Sequence, residues 1–109
     1  MSDFPEFITR LPEIDFPFDG VSGTLLQGED QQAAFARFED ETVVPEHSHA
    51  SQWELVVAGE LCLTVDGVEN TYREGDSFFI PAGAVHGAVV GAGYRAVIFF
   101  DQSDRYKAK

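Results

Sequence analysis

Pro45-Glu46-His47-Ser48-His49-Ala50-Ser51-Gln52-Trp53-Glu54-Leu55-Val56-Val57-Ala58-Gly59 is the stretch on which the reading of this chain turns. It sets two histidines one residue apart, then an amide, a carboxylate and an apolar run. Side chains on an extended strand repeat with period two, so His47 and His49 share a face. Two imidazoles a few ångströms apart on one face are half of a metal site. The third and last histidine, His86, closes a second stretch, Gly75-Asp76-Ser77-Phe78-Phe79-Ile80-Pro81-Ala82-Gly83-Ala84-Val85-His86.

Working outward, short apolar runs alternate with turn residues along most of the chain. Thr24–Gln27 ends at Gly28-Glu29-Asp30, and Ala33–Phe38 ends in acids. Thr42–Val44 is expected to halt at Pro45, because proline cannot donate to a ladder. Trp53–Val57 turns at Ala58-Gly59, and Leu61–Val65 turns at Asp66-Gly67, a strong hairpin signal. Val68–Arg73, Ser77–Ile80, Val85–Val90 and Tyr94–Phe100 complete the set. No window sustains a helical period, and this many short strands predict an all-β sandwich or barrel.

Residues 1–19 differ from the rest. Pro5, Pro12 and Pro17 exclude a long helix, leaving room for one turn near Phe7–Arg10. With Phe4, Phe7, Phe16 and Phe18 this segment reads as an arm packed on the barrel or on a partner subunit, and residues 20–109 as one barrel domain.

Composition narrows the function. The 109 residues are 44 % hydrophobic and include ten phenylalanines, which argues against disorder. Nineteen acidic against seven basic residues leave a formal charge of −12, a surface that repels nucleic acid and anionic lipid. Cys62 is the sole cysteine, so an intrachain disulfide and a cysteine-rich zinc finger are excluded, and a buried, inert thiol is expected. The N-terminus lacks a basic region and a long apolar run, and no window nears the roughly 18 apolar residues of a membrane span. A cytoplasmic protein is expected.

The two histidine stretches resemble the paired motifs of the cupin superfamily, small antiparallel jelly-roll barrels (double-stranded β-helices). The second motif of the family fits without a gap from Gly75 through Pro81 and Gly83 to His86, with Val90 at the closing asparagine position. In the first, His47, His49 and Gly59 are in place, Glu41 stands at the opening glycine, and Gln52 stands where the family has glutamate. The likeness runs from about Gly20 to Phe100 and is closest to small, stand-alone bacterial cupins.

What the resemblance implies is a divalent transition metal (Fe, Mn, Ni or Zn) held by His47, His49, Gln52 and His86. Neutral imidazole suits these ions, and three of them leave positions open. A glutamine ligand in place of glutamate leaves the ion one unit more positive. Glu54 is the other candidate fourth ligand, and by strand parity it faces inward with Gln52. Its roles stand open among ligand, catalytic acid or base with a pKa raised by burial, and ion-pair partner of Arg37 or Arg95. Those two arginines lie within apolar strands, so a substrate anion would call on one of them, whereas Arg105 falls in the tail. Trp53 should point outward, and Tyr94 and Phe35 are core or cavity wall. Gly75, Pro81 and Gly83 serve to position His86.

Two functions follow: a metal-dependent enzyme on a small organic substrate, of dioxygenase, isomerase or lyase type, or a non-catalytic module that binds a small ligand. A homodimer burying Phe4, Phe7 and Trp53 is also expected, because it would cover exposed apolar surface.

Overall fold

The computed structural model describes residues 4–109, so the first three residues of the arm lie outside it. Among the described residues nine strands follow one short helix: α1 (Glu6–Thr9), β1 (Val21–Gln27), β2 (Gln32–Phe38), β3 (Thr42–His47), β4 (Gln52–Ala58), β5 (Glu60–Val65), β6 (Val68–Arg73), β7 (Ser77–Ile80), β8 (His86–Val90) and β9 (Tyr94–Phe100). They form two antiparallel sheets, ordered β1-β2-β9-β4-β7 and β3-β8-β5-β6. The all-β jelly roll is thus what the alternating runs specify: one face of each strand is apolar and must be covered by the other sheet.

Alternation is visible in the burial itself. Along β9, Tyr94, Ala96, Ile98 and Phe100 are buried while Arg95, Val97 and Phe99 are not. Along β4, Gln52, Glu54, Val56 and Ala58 face in and Trp53 faces out. The core joins Leu25, Phe38, Val56, Leu61, Ile80 and Ile98 from both sheets. The Asp66-Gly67 hairpin has φ of 48° and 81° at its two central residues, the geometry of a tight turn whose twist matches its strands.

Pro45 does not end β3, contrary to expectation. Thr42, Val43 and Val44 pair with Val90, Val89 and Ala88, the register then shifts, and His47 pairs with His86. The proline sits in the bulge, where no ladder donor is required. Gly87 opposes this bulge: a Cβ there would lie 2.9 Å from the Val44 carbonyl oxygen.

The arm packs on the barrel. Ile14 is buried, Phe4 meets Phe35 edge to face, Phe16 meets Tyr106, and the Thr24 hydroxyl donates to the Ile8 carbonyl. Phe35 therefore faces the arm rather than the cavity. Cys62 is half-buried, not fully buried, and Glu69 beside it pushes its thiol pKa up. Among the described residues no helix is long and apolar enough to cross a membrane.

Candidate metal centre

The bulge in β3 and the pairing with β8 set His47 opposite His86, and His49 joins them from the connection between β3 and β4, where its backbone carbonyl accepts from the Gly83 N–H. One ring nitrogen of each of His47, His49 and His86 lies within 4.8 Å of those of the other two. Ring centroids are 4.3 Å apart for His47 and His86, 4.8 Å for His49 and His86, and 5.1 Å for His47 and His49. Each Nδ1 lies against a backbone carbonyl: Pro45 at 2.9 Å, Ala50 at 2.7 Å and Ala84 at 2.9 Å. A carbonyl only accepts, so each Nδ1 carries the hydrogen and each Nε2 is left unprotonated. This is the tautomer that metal-binding histidines adopt.

Electrostatics favour the neutral form of His49 and His86, the form that a metal needs. Burial lowers the pKa of His49 from 6.5 to about 4, helped by Arg105 and the neighbouring imidazoles and opposed by the Ala50 contact. Burial, with His47 and Arg105, also lowers His86. His49 Nε2 is buried without a hydrogen-bond partner, a cost that a bound cation would remove. The donor set and its orphaned nitrogen fit a divalent transition metal.

Gln52 and Glu54 lie side by side, 8 % and 5 % exposed. Gln52 Nε2 donates to Glu54 Oε1 at 2.8 Å, and the Tyr94 hydroxyl donates to Glu54 Oε2. Burial raises the Glu54 carboxyl from 4.5 to about 7 against the pull of both donors. Tyr94 is held far above its ordinary pKa by burial and by the carboxylate it faces. Glu54 takes its hydrogen bonds from Tyr94 and Gln52, and Arg95 instead pairs with Glu39 at 3.7 Å.

A central cavity of about 70 Å³ is bounded by His47, His86, Gln52, Glu54, Tyr94 and Arg105, with an otherwise apolar wall that includes Phe78, Ile80 and Phe100. Its cation is Arg105 and not Arg37 or Arg95, which corrects the sequence reading. Arg105 Nη2 lies 3.5 Å from His47 Nε2, and its guanidinium covers Tyr106 at 4.4 Å. The tail position concealed it: nothing in the spacing of Asp101–Lys109 says that the segment folds back over the barrel mouth. Tyr94, expected as core or cavity wall, lines the cavity and is also the donor to Glu54. The signal available was its inward parity on the strand beside Glu54, since Ile98 opposes Glu54 and Tyr94 lies four residues away on the same face.

Fold and site together define a small β-barrel with a three-histidine centre at one end of its cavity. The chain matches the cupin domain family over residues 34–100, and it belongs to that family. Among solved structures it is similar to an RmlC-like cupin from Shewanella frigidimarina NCIMB 400, with 31 % identity, 86 % of each chain covered and a TM-score of 0.76. It is also similar to KdgF from Halomonas sp., with 25 % identity, 84 % of this chain and 87 % of that one covered, and a TM-score of 0.71. A variant of oxalate decarboxylase from Bacillus subtilis shares the fold at 16 % identity and a TM-score of 0.76, with 89 % of this chain and 29 % of that one covered. No curated protein matches the chain.

Proposed function

We propose that the protein is a metal-dependent enzyme acting on a small organic anion inside the barrel. The observation that carries this reading is the convergence of three imidazoles whose Nδ1 atoms are all tied to backbone carbonyls. His47, His49 and His86 would hold the ion, with Gln52 as fourth ligand. A divalent cation there supplies Lewis acidity toward a substrate oxygen.

The chain's own residues supply the rest. Glu54, with a carboxyl pKa near 7, is suited to take or return a proton beside a carbonyl or carboxylate. Arg105 offers a guanidinium to an anionic group of the substrate. The apolar wall excludes bulk water and strengthens both interactions. This combination suits isomerase or lyase chemistry, with dioxygenation the third class if the ion is redox-active. Oxalate decarboxylase, which shares the fold, has Mn(II) centres, so manganese belongs among the ions to be tried with iron, nickel and zinc.

The small cavity favours a second reading, a non-catalytic module for a ligand of few atoms. Both readings include assembly as a homodimer through the outer aromatic face of the five-stranded sheet. Elemental analysis of the purified protein, beside His47→Ala and His86→Ala variants, tests the centre. About one equivalent of metal per chain, lost in the variants, supports it. Absence of metal after reconstitution overturns it and favours the module.

A further inference from the structure

Two features of the Gln52–Glu54 pair bear on each other. An amide can ligate a metal only through its oxygen, because the nitrogen lone pair is delocalised and its hydrogens would face the cation. A glutamine at a metal site is therefore a ligand in one orientation and an obstacle in the other. Here the neighbouring side chain, two residues along β4 and on the same face, dictates the choice. Glu54 Oε2 already receives the Tyr94 hydroxyl, and Glu54 Oε1 receives Gln52 Nε2–H at 2.8 Å. With Nε2 committed, the Gln52 carbonyl oxygen is the end left for the cavity that it shares with His47 and His86.

We infer that Glu54 is a positioning residue for Gln52, fixing its amide so that Oε1 serves as a metal ligand. The Tyr94 hydroxyl anchors the far oxygen of Glu54, so the acceptor offered to Gln52 Nε2–H is itself held in place. This rests on the metal-centre reading above, and it is separable from any proton transfer by Glu54.

The test titrates metal-free protein with Co(II) alone, following affinity and the visible absorption of the bound ion, which reports its ligand set. Glu54→Leu removes the acceptor and should weaken binding about 10- to 100-fold while giving the absorption band of Gln52→Ala. Glu54→Gln keeps an oxygen for Gln52 Nε2–H but no charge. It should retain the wild-type band with a loss of only several-fold. Wild-type affinity and band in Glu54→Leu overturn the inference. So does a Glu54→Gln variant that shows the band of Gln52→Ala, a comparison that decides even if Glu54→Leu fails to fold. Failure of the metal centre itself reads differently: wild type would bind no stoichiometric Co(II), or His86→Ala would bind as well as wild type.

Discussion

The guanidinium of Arg105 reaches the one ring nitrogen of His47 that a metal would need, with Nη2 3.5 Å from Nε2. Its Nε is buried without a partner, and its Cζ lies over the Tyr106 ring. A guanidinium cannot give up its charge, so a dication and Arg105 compete for the same lone pair and repel each other. An anion bound between them would satisfy both. Arg105→Ala should therefore bind Mn(II) or Ni(II) about tenfold more tightly, a change of about 1.4 kcal/mol, and lose affinity for a small carboxylate such as acetate in the metal-loaded protein. Arg105→Lys should keep the repulsion and show little tightening. Calorimetric titration of the three proteins checks this, and equal metal affinity in all of them would refute it.

Stability should respond to pH through two opposed groups in the metal-free protein. Glu54 ionises near 4.5 when unfolded and near 7 when folded. Between those values the folded state holds a proton that the unfolded chain has lost, so its contribution is full below pH 4.5 and falls away as pH rises through 7. His49, lowered from 6.5 to about 4, acts in the opposite sense, and stability from it rises between pH 4 and 6.5. Removing the carboxyl should expose the histidine slope. The stability of Glu54→Gln relative to wild type should improve by roughly 3 kcal/mol from pH 4.5 to above 7. Urea denaturation with chelator present measures the difference, and a pH-independent difference would contradict the assignment.

Much of this site was legible because period two is a strong constraint. Gln52, Glu54 and the outward Trp53 follow from parity once β4 is placed, whereas His49 lies beyond the end of β3 and is tied to His47 by its nearness in sequence. Two things were not legible, for different reasons. The bulge at Pro45-Glu46 breaks parity within β3, so the ladder position of His47 opposite His86 depends on a long-range register that no local pattern encodes. Arg105 comes from a segment without regular structure, whose path is fixed by aromatic contacts of Tyr106 with Phe16 and Phe100.

That bulge gives a stability and binding prediction. Gly87→Ala would place a Cβ 2.9 Å from the Val44 oxygen and 3.2 Å from the Glu46 nitrogen, both backbone atoms. The bulge must shift, and His47 with it. The variant should lose about 1–3 kcal/mol of stability and bind metal more than tenfold less tightly. Gly67→Ala is the control: its φ of +81° strains an alanine, but nothing lies within 4 Å of the new Cβ. It should cost about 1 kcal/mol and leave metal affinity alone. Paired denaturation and metal titration separate the two, and unchanged metal affinity in Gly87→Ala would disprove the link.

The outer face of the five-stranded sheet supplies the last prediction. Trp53 is paired across the sheet with Phe79 on one side and Phe99 on the other, and they are 39 %, 60 % and 47 % exposed. The arm's own Phe4 covers Phe35 further along this sheet, so Phe4 is already engaged within its chain, and Phe7 stays exposed. A contiguous aromatic row on a chain of charge −12 is costly to leave in water, and a second copy presents an identical row in a two-fold contact. Light scattering at micromolar concentration should give twice the 12.0 kDa chain mass. Phe79→Glu with Phe99→Glu should return the mass to that of one chain by placing like charges face to face, and metal affinity should not change because both side chains point away from the cavity. A wild-type monomer at that concentration would dispose of the dimer, and a double variant that stays dimeric would move the interface elsewhere.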